Sequence, residues 1–545
     1  MTPDTFIEHF ATFAAAPNGV AKLRELILQL AVQGKLVPQD ENDQPTSVLV
    51  KQIAKFREEA TGRAASIAML TVDDLGFPLP TGWIAARFGD LMVNRDGERI
   101  PVSRDIREGR KGPYDYYGAS GVIDCIDEFL FDKPLLLIGE DGANLINRST
   151  PIAFIAQGKY WVNNHAHVLD GISLDFLRYI ELHINAIDLK PFVTGTAQPK
   201  MNQAKMNSIP IAVPPLAEQR RIVGKVDQLL GLCDELASRQ ESRRAARERL
   251  VVATLDRLTS PSAAAESASH AQRLQDHFDL LFDTPTTIPH LRQAILQLAV
   301  QGQLVPQDPN DEPVEKRPIK PERKKGKWEG PIDEQELPFP LPPSWMWFRL
   351  GDISMLKHGY AFSSTFFTSD PAPFVLTTPG NFYEKGGFRD RESKRKYYSG
   401  PVDPEFILQP GDLIVPMTEQ AAGLLGSPAF IPNDGRVYIH NQRLGKLNFS
   451  ELIAPEFAFC FFNSEFFRGE LARTCTGMKV RHTSPDRILR VPFPVPPLAE
   501  QKRIVSKVTE LLSLCDALES QLQATESAST QLLSAAVSHL LTQGT

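Results

Sequence analysis

The chain has 545 residues, a formal net charge of −7 and 42% hydrophobic residues, which is the balance of an ordinary globular protein too long for one core. That composition excludes a disordered or fibrous chain, and the charge excludes coating of nucleic acid by bulk electrostatics, although site-specific DNA binding depends on local patches and stays open. No apolar run approaches a membrane span, the opening MTPDTFIEHF lacks the order of a signal peptide, and the five cysteines form no CxxC pair, so a cytoplasmic protein with reduced thiols is expected.

Within residues 1–74, taken as an N-terminal helical segment, LRELILQLAVQGKLVPQD begins at Leu23. Leu23, Ile27 and Leu30 recur at helical spacing, Gly34 sits where a C-terminal cap is expected, and Pro38 prevents continuation. Residues 75–213 are rich in Gly, Pro and aromatics, with short β-like runs such as KPLLLIG, and read as a mixed α/β domain.

A long helix is predicted over 214–258. It opens with PPLAEQRRIVGKVDQLLGLCDEL, where Pro215 suits a first helical position and Glu218 lies where the helix dipole favours an acid. Ile222, Val226, Leu229, Cys233 and Leu236 then step by four and three as a heptad seam. The basic run Arg243, Arg244, Arg247 and Arg249 complements the C-terminal end of the dipole. Such a helix would be roughly 66 Å long at about 1.5 Å per residue.

Residues 259–335 hold a connector, SPSAAAESAS, and a second conserved helical segment. LRQAILQLAVQGQLVPQD from Leu291 matches the first such segment at 15 of 18 positions, with Leu291, Ile295, Leu298, Gly302 and Pro306 repeating the pattern. KRPIKPERKKGKW from Lys316 reads as a basic loop. FPLPPSW from Phe339 and RLGDI from Arg349 repeat FPLPTGW from Phe77 and RFGDL from Arg87, and they open a second mixed domain, 336–495. The C-terminal segment, 496–545, opens with PPLAEQKRIVSKVTELLSLCDAL, identical to the first long helix at 17 of 23 positions. Its seam is Ile504, Val508, Leu511, Cys515 and Leu518, extended by Leu522 and Leu532.

The chain is therefore written twice, as short helix, variable domain, long helix. A lone heptad run is usually a core or oligomerisation helix, but two near-identical runs make each the simplest partner of the other. The expected fold class is mixed α/β (α+β): two variable domains separated by two long helices paired as an antiparallel coiled coil, with pseudo-twofold symmetry. Cys233 and Cys515 occupy one seam position and read as small core residues.

No catalytic constellation is present. GxxxxGK[ST], a GxGxxG opening a helix, an NPPY or DPPY tetrad and a nuclease carboxylate–lysine cluster are all missing, and GASGV from Gly118 falls short of GxSxG. His165 and His167 in NNHAHVL are two apart, which in a strand puts both on one face but brings no third metal ligand, so polar residues at a surface or DNA-facing edge are favoured over a metal site. What remains suits a polyanion: Arg and Lys for phosphate and guanine, Asn and Gln for adenine, Tyr and Ser for the backbone. In the first domain the candidates are Arg104, Arg110, Lys111, Tyr114, Tyr117, Ser120, Asn163, Asn164, His165 and Lys200. In the second they are Lys394, Arg395, Lys396, Arg443, Lys479 and Arg481.

The order of the PPLAEQ helices, the LQLAVQG helices and two variable domains resembles the specificity subunit of type I restriction–modification systems. YYGASGVID, FDKPLLLIGEDGAN, YWVNNHAHVL and GTAQPKMNQAKMNSIPIAVPPLAEQ carry the likeness through the first domain, FPVPPLAEQ and GDLIVPMTEQAAG in the second. The resemblance implies two target recognition domains, each reading half of a split target in double-stranded DNA, with helices that set the gap and dock two modification subunits. It also implies that catalysis, with S-adenosylmethionine, ATP and magnesium, belongs to those and to restriction subunits, this chain holding no cofactor. The rival readings are a self-sufficient DNA-modifying enzyme, an orphan specificity subunit and a coiled-coil scaffold regulating another complex.

Overall fold

The computed structural model describes residues 14–64, 66–195, 198–260, 267–315, 332, 337–419, 421, 423–475 and 481–542. The basic loop from Lys316, most of the connector and Lys479 lie outside the described residues. The chain divides into two compact units, Met1–Arg243 with Thr525–Thr545, and Arg244–Ala524.

In the first unit, α1 (Gly19–Val32) buries Val20, Leu23 and Leu26 along one stripe and is followed by α2 (Thr46–Thr61). Strands β1 (Ile84–Arg87), β2 (Val93–Asn94), β3 (Tyr114–Gly118), β4 (Gly121–Ile126) and β5 (Phe131–Asp132) come next. They are followed by β6 (Leu135–Gly139), β7 (Ala153–Ala156), β8 (Lys159–Val162), β9 (Ala166–Asp170), α3 (Leu174–Ala186) and β10 (Pro210–Val213). One sheet runs β2-β9-β6-β7 and a second β4-β3-β8-β5, with β3 parallel to β8. The run LLLIG is β6, and it is apolar throughout because both of its faces are covered. Leu136 and Ile138 pack with Phe176, Tyr179 and Ile180 of α3, while Leu135 and Leu137 pack with Tyr160 and Val162. β1 pairs antiparallel with β10, Ile84 opposite Val213, so the repeated sequences that flank the domain lie side by side. Helix α4 (Leu216–Thr259, 44 residues) leaves from that point.

The second unit repeats the frame. After α5 (Ile288–Val300) come β11 (Met346–Arg349), β12 (Ser354–His358), β13 (Phe367–Thr368), β14 (Phe374–Thr377) and β15 (Tyr397–Tyr398). Then follow β16 (Ile407–Leu408), β17 (Leu413–Pro416), β18 (Ala429–Phe430), β19 (Val437–His440) and β20 (Leu444–Phe449). Helices α6 (Pro455–Asn463) and α7 (Glu465–Thr474), strand β21 (Pro492–Val495) and helix α8 (Leu498–Thr542, 45 residues) complete it. The sheets are β12-β20-β17-β18 and β13-β15-β14-β19-β16, with β14 parallel to β19. β11 pairs antiparallel with β21, Met346 opposite Val495. The helical side is packed with phenylalanines; the rings of Phe461 and Phe493 stand 4.4 Å apart.

The short helices end in one device. Gly34 (φ +68) and Gly302 (φ +72) take the left-handed conformation that glycine favours, and a Cβ there would lie 2.4 Å from Pro80 Cγ or 2.5 Å from Pro342 Cγ. The glycine thus seats the Pro and Trp of the FPLP..W motif. PPLAEQ seats the long helix. Gln219 Nε2 donates to Pro214 O at 2.9 Å and Gln501 Nε2 to Pro496 O at 2.8 Å, both side chains fully buried. Glu218 is buried too: Trp83 Nε1 donates to it at 3.0 Å, and in the second copy Gln307 Nε2 donates to Glu500 at 2.6 Å. The acid that sequence places by the helix dipole is held by an indole, and burial pushes its carboxyl up.

The two long helices meet within each unit. Cys233 shares a cluster with Leu533 and Val537 of α8 and with Val20, Leu23 and Leu26 of α1. Cys515 shares one with Val251 and Leu255 of α4. These are the same positions of the repeat. The predicted seam is nevertheless not a two-helix seam along its whole length. Ile222 and Val226 belong to the first domain's core and Ile504 and Val508 to the second's, so the first turns of each helix are buried by the domain beside them. Leu229 is half-buried, Leu236 packs at the α1 cluster, and Leu511, Leu518 and Leu522 pack around the Cys515 cluster. Leu532 is 55% exposed and Leu533 takes its place, because a straight helix drifts about 20° per heptad against a strict 3.5 repeat.

Candidate nucleic-acid interface

The basic stretch of the first domain folds into ion pairs. Arg95 meets Asp170 at 2.7 Å, Arg104 meets Glu108 at 3.4 Å, and Arg107 meets Asp124 at 2.9 Å. Arg110 bonds both Asp127 and Glu128 at 2.8 Å and stacks over Trp161, and Lys111 joins Arg107 on Asp124. Lys111 and Arg107 hold the Asp124 carboxyl well below the usual carboxylate range. The bonds of Arg107, Arg110 and Lys111 tie the β3–β4 hairpin to the turn before it. Of the candidates here, Arg104 and Lys111 remain exposed, while Tyr114 is half-buried edge-on to Phe129, with ring centroids 5.2 Å apart.

The other candidates meet at one edge, where strand ends from both sheets converge. Tyr117 accepts the backbone N–H of Asn163 at 3.1 Å, while its ring stacks on Phe154. Ser120 is exposed at the β3–β4 tip, and that tip touches Gly139, where a Cβ would sit 2.6 Å from Ala119 O. Glu140 N donates to His165 O at 2.9 Å, and Met201 N donates to Glu140 O at 2.8 Å. Lys200 Nζ and Arg99 bracket the Glu140 carboxylate at 3.1 and 3.0 Å. Asn164, His165 and Lys200 are exposed there, but Asn163 is buried and spends its Oδ1 on the His165 N–H at 2.8 Å.

The two histidines do not share a face. His165 precedes β9, is exposed and meets Asp141 through Nδ1 at 2.8 Å. His167 lies in β9, buried between Asp96 (Nδ1, 2.6 Å) and the Met201 carbonyl (Nε2, 2.9 Å). Both partners can accept, which favours the doubly protonated ring: burial pushes its pKa down, but the Asp96 carboxylate outweighs this and raises it. Among the described residues no group of three or more His, Cys, Asp and Glu could hold a metal ion, and no helix is long and apolar enough to cross a membrane.

In the second domain Arg395 is committed to Asp390 through bonds of 2.8 and 2.5 Å, with Arg436 on the same carboxylate at 3.1 Å. Lys394 and Lys396 beside it are exposed. Arg443 is exposed at the tip between β19 and β20, and Arg481 is exposed with Glu419 at 3.6 Å. Sequence reasoning missed Tyr360, 52% exposed, which clamps the Arg443 tip: its N–H donates to His440 O at 2.8 Å and its carbonyl accepts from Gln442 N at 2.9 Å. The signal was Gly359, where a Cβ would come within 2.1 Å of Asn441 O. The two edges thus present amides, an imidazole, an ammonium and guanidiniums on rigid backbone, the groups that read base edges and phosphates.

Known proteins resemble the chain over most of its length. The family model for the type I restriction modification DNA specificity domain matches residues 80–243 and 342–525. The chain is 30% identical to the type I restriction enzyme EcoAI specificity subunit of Escherichia coli, over 92% of this chain and 90% of that protein. It is also 30% identical to the EcoEI specificity subunit of Escherichia coli, over 93% and 91%. The solved HsdS subunit from Thermoanaerobacter tengcongensis aligns at 16% identity over 84% of this chain and 97% of that one, with a TM-score of 0.39.

Proposed function

Because the chain belongs to the type I restriction–modification DNA specificity family, we propose that it is the subunit through which such a complex reads a bipartite site in double-stranded DNA. Residues 75–213 and 336–495 act as recognition domains, one per half-site. Segments 214–258 and 496–545 are the spacer that sets the gap, and 1–74 and 259–335 are the conserved helical segments of the repeat. The plan is written twice along the chain, as suits two recognition domains with one half-site each. The subunit itself is not catalytic. Modification subunits supply S-adenosylmethionine and methylate adenine, restriction subunits use ATP and magnesium, and the assembly works in the cytoplasm.

The observation that carries this reading is that both copies keep one frame and one set of joints while the exposed residues of their loop edges differ. Docking of two copies of one modification subunit is supported by matched exposed leucines on the long helices: Leu232 with Leu514, and Leu250 with Leu532, each more than half exposed. The test is adenine-methylation mapping in cells with and without this chain beside its partners. Loss of a methylated split motif on deletion is expected; an unchanged methylome in an otherwise active system overturns the reading.

A further inference from the structure

The loop edges of the two units are one object built twice. At the β8–β9 tip, Asn163 Oδ1 accepts from His165 N at 2.8 Å; at the β19–β20 tip, Asn441 Oδ1 accepts from Arg443 N at 3.0 Å. His165 O accepts from Glu140 N and Arg443 O from Met417 N, both at 2.9 Å. Glu140 O takes the N–H of Met201 at 2.8 Å, and Met417 O that of Thr483 at 3.0 Å. Gly142 N reaches Pro199 O at 3.0 Å, and Glu419 N reaches Arg481 O at 2.9 Å. An isolated bridge joins Asp141 to Lys200 in one unit and Thr418 to His482 in the other.

This network pairs Asn164 with Gln442, His165 with Arg443, and Lys200 with His482. All six are exposed. Every bond that the two edges have in common is made by the backbone or by the shared Asn163 and Asn441. The six exposed side chains make none of these shared bonds, and they differ between the units; His165, Lys200 and His482 add bonds of their own to Asp141, Glu140 and Thr418.

Resting on the specificity reading above, we infer that the second and third residues of each tip are base-reading positions: Asn164 and His165 for one half-site, Gln442 and Arg443 for the other. Each tip offers an amide followed by an imidazole or guanidinium. The amide matches the N6/N7 edge of adenine, and the guanidinium matches the O6/N7 edge of guanine. Asp141 holds His165 through Nδ1, leaving Nε2 to the DNA. Of the basic clusters named from sequence, Arg110 and Arg395 do not compete for this role, because they are bound to carboxylates of their own domain.

The experiment exchanges the tips in the full chain, assembled with its modification and restriction partners. N164Q/H165R is expected to change one or two adjacent positions of one half-site in the methylation map, leaving the other half-site and the gap alone. Q442N/R443H is expected to change only the opposite half. An unaltered motif in both variants overturns the inference, whereas a wild-type complex with no split motif overturns the specificity reading instead. Because a double exchange can unfold a loop, N164A and R443A are measured separately on synthetic duplexes. Roughly 10- to 100-fold lower discrimination between the true site and a half-site mismatch, with binding to unrelated DNA kept, supports base reading. Equal loss on both duplexes marks a phosphate contact and overturns it.

Discussion

Arg221 grips Asp43 through two hydrogen bonds, at 3.0 and 2.6 Å, and Arg503 grips Asp311 through two at 3.1 and 2.6 Å. Each arginine stands early in a long helix and each aspartate in the turn after a short one, with the carboxylate only 8% or 7% exposed. Planar, bidentate pairing fixes direction as well as distance. R221A leaves Asp43 sheltered without its partner and should destabilise the first unit by about 1–3 kcal/mol. An unfolding midpoint in urea equal to wild type would deny the pair that role.

Gly34 and Gly62 share a left-handed φ, +68 and +67, but only Gly34 has a proline and a tryptophan against its α-carbon. G62A should cost about 1 kcal/mol for backbone strain. G34A adds the clash with Pro80 and should cost at least about 1 kcal/mol more. Thermal unfolding of the two variants decides it; equal midpoints would mean that Pro80 gives way freely.

Arg24 and Arg292 are the same residue of the repeat. Arg24 meets Asp234, which is 73% exposed, whereas Arg292 is 13% exposed and bonds Asp516 at 2.7 Å, Glu519 at 2.8 Å and Leu512 O at 3.2 Å. R24A should therefore change stability by less than about 1 kcal/mol, while R292A should cost roughly 1–3 kcal/mol through the loss of its bonds to Glu519, 29% exposed, and to the Leu512 carbonyl. Paired denaturation curves that show the reverse order would refute the assignment.

The carboxyl of Glu181 on α3 is pushed up to about 7, by burial first and by the charge of Asp227, against the pull of Arg178. Below its ordinary value of 4.5 the group is protonated both folded and unfolded. Between about 4.5 and 7 the unfolded chain has lost the proton that the fold retains, so stability falls as pH rises through that window. E181Q should match wild type near pH 4 and exceed it at pH 8, by an amount on the order of 1–3 kcal/mol. Parallel stability–pH curves for the two proteins would show that Glu181 does not titrate this way.

Arg395 and Lys396 are chain neighbours with different work. Arg395 is bound to Asp390 and Tyr397, while Lys396 is exposed. R395A should lower the unfolding midpoint of the chain and leave the methylated motif unchanged. K396A should leave stability unchanged, weaken DNA binding uniformly across sequences and reduce the slope of log affinity against log salt by about one. Sequence-selective loss in K396A would contradict a phosphate contact.

The repeated helices were legible because the chain states them twice: agreement at Leu23 and Leu291, or Ile222 and Ile504, separates a required surface from chance periodicity. Periodicity tells which face is buried but not against what, so the turns holding Ile222 and Val226 read as coiled coil although their own domain covers them. The basic stretch misled for a similar reason. Arg110 finds Asp127 only across the β3–β4 hairpin, and a strand register is invisible to composition. The likeness of the two tips was hidden because NNH and NQR share one asparagine, while their identity lies in backbone bonds that any residue can make.

The cluster around Cys233 also dictates an order of manufacture. Its partners Leu533 and Val537 are translated about 300 residues later, which at roughly 5–20 residues per second is at least some 15 s. Until then the apolar stripe of Val20, Leu23 and Leu26 lacks its α8 cover on the nascent chain. The unit begun first on the ribosome is closed last, and a transcript cut short before codon 533 yields a protein whose defect is displayed on its surface, where chaperones and proteases look.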